Sequence, residues 1–265
     1  MTYEEILFRK EGNIGVVTLN NPSKANALSI NMIKELTNAL TEISMDEDLK
    51  VVILKASGKH FCAGHNLAEM VENKETGAKP GVKEYKGLFD RCAIMMELIH
   101  RLPQPVIAEV QGVATAAGCQ LAAWCDMTVC EEGARFGTPG VKIGLFCATP
   151  MIAISRVIGR KAAMEMLMTG KLISAHEAKE LGLVNRVVPI EKLSEETMEM
   201  AKTIAQASRF VIALGKEAFY TQIDQPDGKA MDYARHTMAM NNLAEDAQCG
   251  ISCFLKKKTP EWKNR

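Results

Sequence analysis

Two short runs, residues 50–56 (KVVILKA) and 106–110 (VIAEV), constrain this chain more than any other feature. Both are rich in β-branched residues and almost continuously apolar, the signature of strands covered on both faces. Strands of that kind sit in sheets sandwiched by helices and joined through crossovers, and the flanking sequence supplies the helices. Ser29 stands before a segment in which Ile30, Ile33, Leu36, Leu40 and Ile43 recur at helical spacing. Residues 89–102 form a second helical pattern, stopped by Pro103 and Pro105. Residues 3–10 and 13–20 read as paired strands joined at Glu11-Gly12-Asn13, and residues 126–130 are again strand-like. Residues 73–82 carry two glycines and a proline and predict a mobile surface segment. Ser174 and Glu177 make a capping-box pair for a short helix closed by Gly182. Beyond residue 190 the pattern changes: residues 191–207, 209–222, 229–245 and 247–257 are all helical, with no strand between them. The expected class is α/β, with a core of repeated strand–strand–helix units over residues 1–190 and a helical C-terminal region over 191–265.

Charge narrows the function. The 265 residues contain 32 Lys and Arg against 32 Asp and Glu, so the surplus of cations that nucleic-acid binding requires is missing. No apolar run reaches 18 residues, and no membrane span is expected. The first ten residues read as a strand rather than as a targeting peptide. The eight cysteines form no CxxC pair and lie mostly in apolar runs, where a thiol behaves as a small hydrophobe. A reducing, cytoplasmic location follows as the expectation. The five histidines show no metal-ligand spacing, so no metal is expected. Sixteen methionines, many in helical stretches, point to adaptable core or subunit-interface packing.

Chemistry is expected at two loops that follow the buried runs, residues 60–66 (HFCAGHN) and 112–120 (GVATAAGCQ). Their small side chains admit two explanations. One is close helix–sheet packing. The other is a pair of backbone N–H groups converging on a ligand, the second at a helix N-terminus that favours negative charge.

The motifs ASGKHFCAGHNLAEM, VQGVATAAGCQLAAWCDMTVC and FGTPGVKIGLF, with NNPSKANALSINM before them and LMTGKLISAHEAKELGLVNRVVP after, resemble the crotonase (enoyl-CoA hydratase/isomerase) family in order and spacing. Within it the resemblance is to a branch of enoyl-CoA hydratase domain-containing proteins. It runs from about residue 13 to 262 and implies a crotonase-like spiral whose helical C-terminal region forms homotrimers, often paired into dimers of trimers. It implies an acyl-CoA thioester as substrate, with coenzyme A as part of that substrate and no separate cofactor. By the same resemblance, the backbone N–H groups of His65 and Ala117 would grip the thioester oxygen as an enolate forms. Lys24, Ala25, Ala27, Ala63, Asn66 and Leu67 would line the coenzyme A and acyl site. Lys257 would approach phosphates from a neighbouring subunit. It stands in the one basic cluster of the chain, residues 254–265, with five basic residues and one acidic.

The chain departs from the family where water is activated. The two hydratase glutamates are replaced by Gln120 and Gly140. An amide cannot take a proton from water at a useful pKa, and glycine has no side chain at all. His65 stands where most family members carry a small or apolar residue, and a branch that decarboxylates methylmalonyl-type thioesters resembles this chain in having His there. Three functions follow: enolate stabilisation without the glutamate pair, decarboxylation or hydrolysis assisted by His65, and acyl-CoA binding without turnover. Cys147, Thr138 and Thr149 are further candidates, as are Asp90 and Glu97 as substitute bases. Cys119 and Asp126 read as structural.

Overall fold

The computed structural model describes residues 3–72 and 79–265. Most of the segment read as mobile, residues 73–78, lies outside the described residues. The chain opens with the predicted hairpin, β1 (Ile6–Glu11) and β2 (Ile14–Leu19), antiparallel and joined at Gly12, whose φ of 62° suits the tight turn. Helix α1 (Ile30–Ser44) follows, its first turn closed by the Ser29 hydroxyl, which accepts from the Met32 N–H at 2.9 Å. Ile33, Leu36, Leu40 and Ile43 of the predicted stripe are buried, whereas Ile30 stays largely in solvent. β3 (Val51–Ala56) is the first apolar run. The short α2 (Leu67–Val71) comes next, then α3 (Val82–Arg101), which starts seven residues earlier than the apolar spacing indicated. Its first turn is exposed to solvent, Val82 included, so no buried face marks the start of the helix.

β4 (Val106–Val110) pairs in parallel with β3, completing the motif that the apolar runs predicted. The main sheet has the order β1-β2-β3-β4-β6-β9, with every pair after the hairpin parallel. Its last two strands are β6 (Met127–Glu131) and β9 (Arg186–Val188). A second sheet is formed by β5 (Val113–Thr115), β7 (Arg135–Gly137) and β8 (Leu172–Ser174). β5 has only three residues, too few for a period to declare itself in the sequence, and α4 (Ala117–Trp124) begins after it. Helices α5 (Ala148–Val157) and α6 (Arg160–Thr169) connect β7 to β8 within the second sheet, and α7 (Ala175–Glu180) leads from β8 back to β9 of the first. The Ser174 hydroxyl caps α7 by accepting from the Glu177 N–H.

Alternation along the central strands shows why they read as continuously apolar. Val52, Leu54, Val106 and Ala108 join the core under α1, α3 and α4. Val51, Ile53 and Ile107 face the other way, against Leu193, Ala201 and Ala205 of α8 (Leu193–Ala205). The division expected at residue 190 falls just before α8, which is the layer that closes the second face. Helices α9 (Arg209–Gln222), α10 (Asp227–Leu243) and α11 (Glu245–Leu255) complete the chain. All eight cysteines are free thiols, six of them buried. Among the described residues no helix is long and apolar enough to cross a membrane, and no group of three His, Cys, Asp or Glu side chains is placed to hold a metal.

Candidate active site

The loops after β3 and β4 meet. The Cys62 N–H donates to the Val113 carbonyl at 3.1 Å, and the Thr115 N–H donates back to the Cys62 carbonyl at 2.9 Å. Helix α4 lies so close to this bridge that a Cβ on Gly118 would stand 2.1 Å from the Cys62 oxygen. Only glycine fits there. Gly64 makes the second close approach: its φ is +98°, and a Cβ on it would come within 2.9 Å of the Ala116 Cβ and 3.4 Å of the Ala117 nitrogen. Packing and ligand access were the two explanations for the small residues. Packing accounts for Gly118, and the approach at Gly64 brings the two loops together beside a cavity.

His65 is held from behind. The Leu28 N–H donates to Gly64 and the Asn66 N–H donates to Leu28, bracketing His65 in a parallel bridge. In extended chain successive N–H groups point to opposite sides, so that of His65 faces away from Leu28. Ala116 is held at φ 51° and ψ −120°, a region that residues with a Cβ seldom enter, and this turns the chain into α4. Ala117 is the first residue of that helix and has no acceptor one turn earlier. Neither the His65 nor the Ala117 N–H has a backbone partner among the described residues.

Both residues line a cavity of about 720 Å³. Lys24, Ala27, Ala63, Asn66, Leu67 and Gly140 line it too, as the sequence reading expects. Asn66 has a second task, capping α2 by accepting from the Ala68 N–H at 3.2 Å. Ala25 is not in the wall. Its carbonyl accepts from the Ala63 N–H at 3.1 Å and ties the 22–27 turn to the loop after β3. Lys257 is exposed and does not line the cavity of its own chain.

Gln120 lies one turn into α4. It is buried, absent from the cavity wall, and its Oε1 has no partner. Gly140 is in the wall, but the space beside it is filled: a Cβ there would lie 2.6 Å from the Leu145 carbonyl and 2.8 Å from Cys147 Sγ. The loss of a side chain at 140 is therefore matched by a loop that closes over it and brings a thiol forward. Burial pushes the Cys147 thiol up, against the Gly140 backbone N–H that favours the thiolate. Cys119 is fully buried, with its pKa pushed up to about 12, and stays out of the wall. Thr149 lines the cavity; Thr138 is buried and its hydroxyl lacks a partner. Asp90 pairs with Lys86 at 2.6 Å and Glu97 with Arg101 at 2.9 Å, and neither reaches the cavity. No acidic side chain lines it among the described residues. The His65 imidazole packs edge-on to Phe89, with ring centres 5.4 Å apart, and burial lowers its pKa to about 4. It is neutral at pH 7.

Sequence reasoning missed three things here. Asn26 takes φ 51° and bonds Ser57, His60 and Asn21, knitting the turn beside Lys24 to the loop after β3. Asparagine tolerates that backbone, which was the available signal. The apolar wall formed by Met70, Phe89, Leu145 and Phe146 gave none, because it is gathered from separate elements. Lys216 of α9 reaches the carboxylate of Asp126 at 2.6 Å, so the structural reading of Asp126 has a distant partner.

The model of the enoyl-CoA hydratase/isomerase family matches residues 9–265. The enoyl-CoA hydratase domain-containing protein 3, mitochondrial, of Rattus norvegicus is 44% identical over 254 residues, covering 96% of this chain and 83% of the relative. A crystal structure of the human enoyl coenzyme A hydratase domain-containing protein 3 superposes with a TM-score of 0.93 at 43% identity, covering 98% of this chain and all of that one. The crystal structure of an enoyl-CoA hydratase from Mycobacterium smegmatis gives 0.92 at 47% identity, with 98% and 99% covered. These names correct one expectation. The relatives from rat, Xenopus laevis and Homo sapiens are named mitochondrial proteins, which overturns the cytoplasmic reading drawn from cysteine usage and the first residues. A reducing interior is not unique to the cytoplasm, so thiol chemistry could not separate the two. With family match, fold and loop geometry in agreement over nearly its whole length, this chain belongs to the enoyl-CoA hydratase/isomerase family.

Proposed function

We propose that the protein binds an acyl-CoA thioester and stabilises its enolate between the N–H groups of His65 and Ala117, without the carboxylate pair of ordinary hydratases. One observation carries the reading: His65 and Ala117, whose backbone N–H groups have no backbone acceptor, line one cavity whose wall holds no carboxylate among the described residues. Negative charge developing on a thioester oxygen there would meet donors that are already oriented, and each such donor is typically worth about 100- to 1,000-fold in rate. The dipole of α4 acts in the same direction. Lys24, exposed at the cavity wall, is the cation of this chain for the coenzyme A end. Lys257 would serve the phosphates of a neighbouring copy in a homotrimer or dimer of trimers. That places it outside the cavity of its own chain.

Adding water across a double bond needs a base for the water and an acid for the α-carbon. General acid–base groups of this sort commonly contribute about 100- to 10,000-fold each. Gln120 cannot take the first role, and at Gly140 the nearest groups are the Leu145 carbonyl and the Cys147 thiol, whose pKa burial raises. Efficient hydration is therefore not expected. Enolate formation itself, with a solvent or buffer base taking the α-proton because no carboxylate lines the wall among the described residues, is read most directly by incubating the protein with a saturated acyl-CoA in deuterium oxide and following α-hydrogen exchange by mass spectrometry. Exchange above the uncatalysed background, together with crotonyl-CoA hydration at least 100-fold below that of a two-glutamate relative, is the expected result. Hydration at the rate of the relative would overturn the proposal. Coenzyme A binding with no exchange would leave a binding protein. Product analysis with methylmalonyl-CoA reports on decarboxylation and hydrolysis through the same pair of donors.

A further inference from the structure

We infer that Cys249 and Cys253 of α11 form a modification site, a dithiol that a hydroperoxide converts into a disulfide within one helix.

Exposure sets these two thiols apart. The other six cysteines are buried, whereas Cys249 and Cys253 are both partly open to solvent. They stand four positions apart on α11, so they share one face of the helix, and their sulfurs are 3.9 Å from each other. The C-terminal tail folds back along that face. Cys249 Sγ lies 3.7 Å from the Glu261 carbonyl oxygen, and a Cβ on Gly250 would meet the Trp262 ring at 3.3 Å. Ile251 and Leu255 point to the opposite side of the helix and are exposed. A second copy packed on that apolar side would leave the dithiol open to small solutes.

The chemistry needs only these two thiols and the peroxide. One thiolate attacks a hydroperoxide and breaks the O–O bond. Its sulfur is oxidised to a sulfenic acid, and the departing oxygen takes up the proton the thiol lost and leaves as an alcohol, or as water from hydrogen peroxide. The second thiol then attacks the sulfenic sulfur, the S–S bond forms, and the hydroxyl leaves with the second proton as water. Burial and the adjacent Cys249 thiol hold the pKa of Cys253 above its ordinary value, with Lys256 and Lys258 opposing. The first step is therefore no faster than for an ordinary thiol. The second is intramolecular, and proximity lets it outrun further oxidation of the sulfenic acid.

Four residues of helix rise by about 6 Å, a Cα separation that disulfides tolerate. The Cβ atoms have further to go, from about 5–6 Å on a helix surface to about 4 Å in the bridge. The last turn of α11 must yield, and that turn carries the chain reversal. The Cys253 carbonyl accepts from the Lys258 N–H at 2.9 Å, and Lys257 between them takes φ 52°. Oxidation thus pulls on the segment that presents Lys257. This consequence, unlike the disulfide itself, rests on the proposed role of Lys257 at the phosphates of coenzyme A.

The reduced, assembled protein is treated with hydrogen peroxide, its remaining thiols are alkylated, and the tryptic peptide 236–256, which carries these two cysteines and no others, is weighed. Loss of two hydrogens from that peptide, reversed by dithiothreitol, with the six buried cysteines still reduced, is the expected result. Cys249→Ser and Cys253→Ser should each keep the melting temperature of the parent and lose this product, leaving a sulfenic acid that dimedone traps. Calorimetry should show coenzyme A bound several-fold more weakly after oxidation of the parent and equally well in the treated variants. A parent peptide that gains oxygen without losing hydrogen would overturn the inference. So would a bond to a second copy, or oxidation of the buried cysteines ahead of this pair. If the disulfide forms and coenzyme A binds as before, the modification site stands and the role of Lys257 falls. If the reduced protein binds no coenzyme A, the proposed function falls and the dithiol remains.

Discussion

The sheet half of the molecule and its last three helices are held together by opposite means. Around the main sheet, apolar residues are buried in two clusters on its two faces, and the strands contribute to both. In α9 the one buried residue is Lys216; in α11 it is Asp246; in α10 there is none. Lys216 donates to the carbonyls of Ile99 and Gln104 and to Asp126, which also accepts from the Tyr220 hydroxyl at 2.8 Å. Asp246 accepts from the Ser208 hydroxyl and from the N–H groups of Lys263 and Asn264. Meanwhile Phe219, Met238, Leu243 and Phe254 face outward and are more than half exposed. Hydrophobic burial closes the sheet half within one copy, whereas the C-terminal helices are positioned by a few polar anchors and keep their apolar faces unused. Strength and orientation are thus supplied by different regions, which is the arrangement a subunit interface on these helices would require.

The largest expected effect tests the sheet half. Gly118→Ala places a methyl 2.1 Å from the Cys62 oxygen, so α4 or the loop after β3 must move. A loss of more than about 4 kcal/mol in urea unfolding is expected, the range reserved for overpacking and backbone strain. The matching change in the C-terminal helices is Gly215→Ala. A Cβ on Gly215 in α9 meets nothing, so the substitution should leave stability unchanged or raise it by about 0.5–1 kcal/mol through helix propensity. Equal effects at the two glycines would break the comparison.

Next in size is the anchor. Asp126→Ala leaves the Lys216 ammonium buried against two carbonyls with no carboxylate, and breaking a buried pair in this way costs about 3–5 kcal/mol. Burial already pulls the pKa of Lys216 down, with Asp126 opposing, so the lysine should respond by losing its proton more readily. Asp126 also accepts from the Val106 N–H at 2.6 Å, so hydrogen exchange should show α9 and the start of β4 opening first, with β3 still protected. Replacing both members by apolar residues, Asp126→Leu with Lys216→Met, should recover part of the loss. Loss of β3 protection at the same denaturant concentration would show that the two regions unfold as one.

The same division separates what could be read from sequence. Two-faced burial of residues 50–56 and 106–110 is written into the residues themselves, as is the Ser29 cap, because strand patterning and helix capping are local. The two loops were also legible, since close approach at Gly64 and Gly118 demands small residues. What lay beyond reach depends on distant pairs: the Lys216–Asp126 contact spans 90 positions, and the Cys147 sulfur comes to Gly140 only through the path of its loop. The second sheet escaped because strands of three residues show no period. At the candidate site, eight of the residues expected there line the cavity, while Ala25, Gln120 and Lys257 do not. For Ala25 the reason is plain: its contribution is a carbonyl that positions Ala63, and composition carries no trace of that.

The smallest effect sharpens the comparison through pH, because one half-buried histidine stands in the cavity wall and another where α3 of the sheet half meets α9. His65 stands in the cavity wall, and His100 is sandwiched between Trp124 and Tyr220, with ring centres 4.4 and 3.8 Å away. Burial lowers both pKa values to about 4, from an ordinary value near 6.5. The folded state therefore resists protonation where the unfolded chain accepts it. This contribution is fully present above about pH 6.5 and is lost progressively as pH falls toward 4. At pH 5 the expected loss is about 1–2 kcal/mol from His65 and less from His100, whose partial contact with water screens it. His65→Gln should flatten the acid limb of global stability measured by urea unfolding. His100→Gln should act instead on α9, seen as slower local hydrogen exchange of that helix at pH 5 than in the parent protein. If both substitutions shift the global curve equally, the cavity wall and the C-terminal helices share one cooperative unit, and the polar anchors are part of the core rather than a hinge upon it.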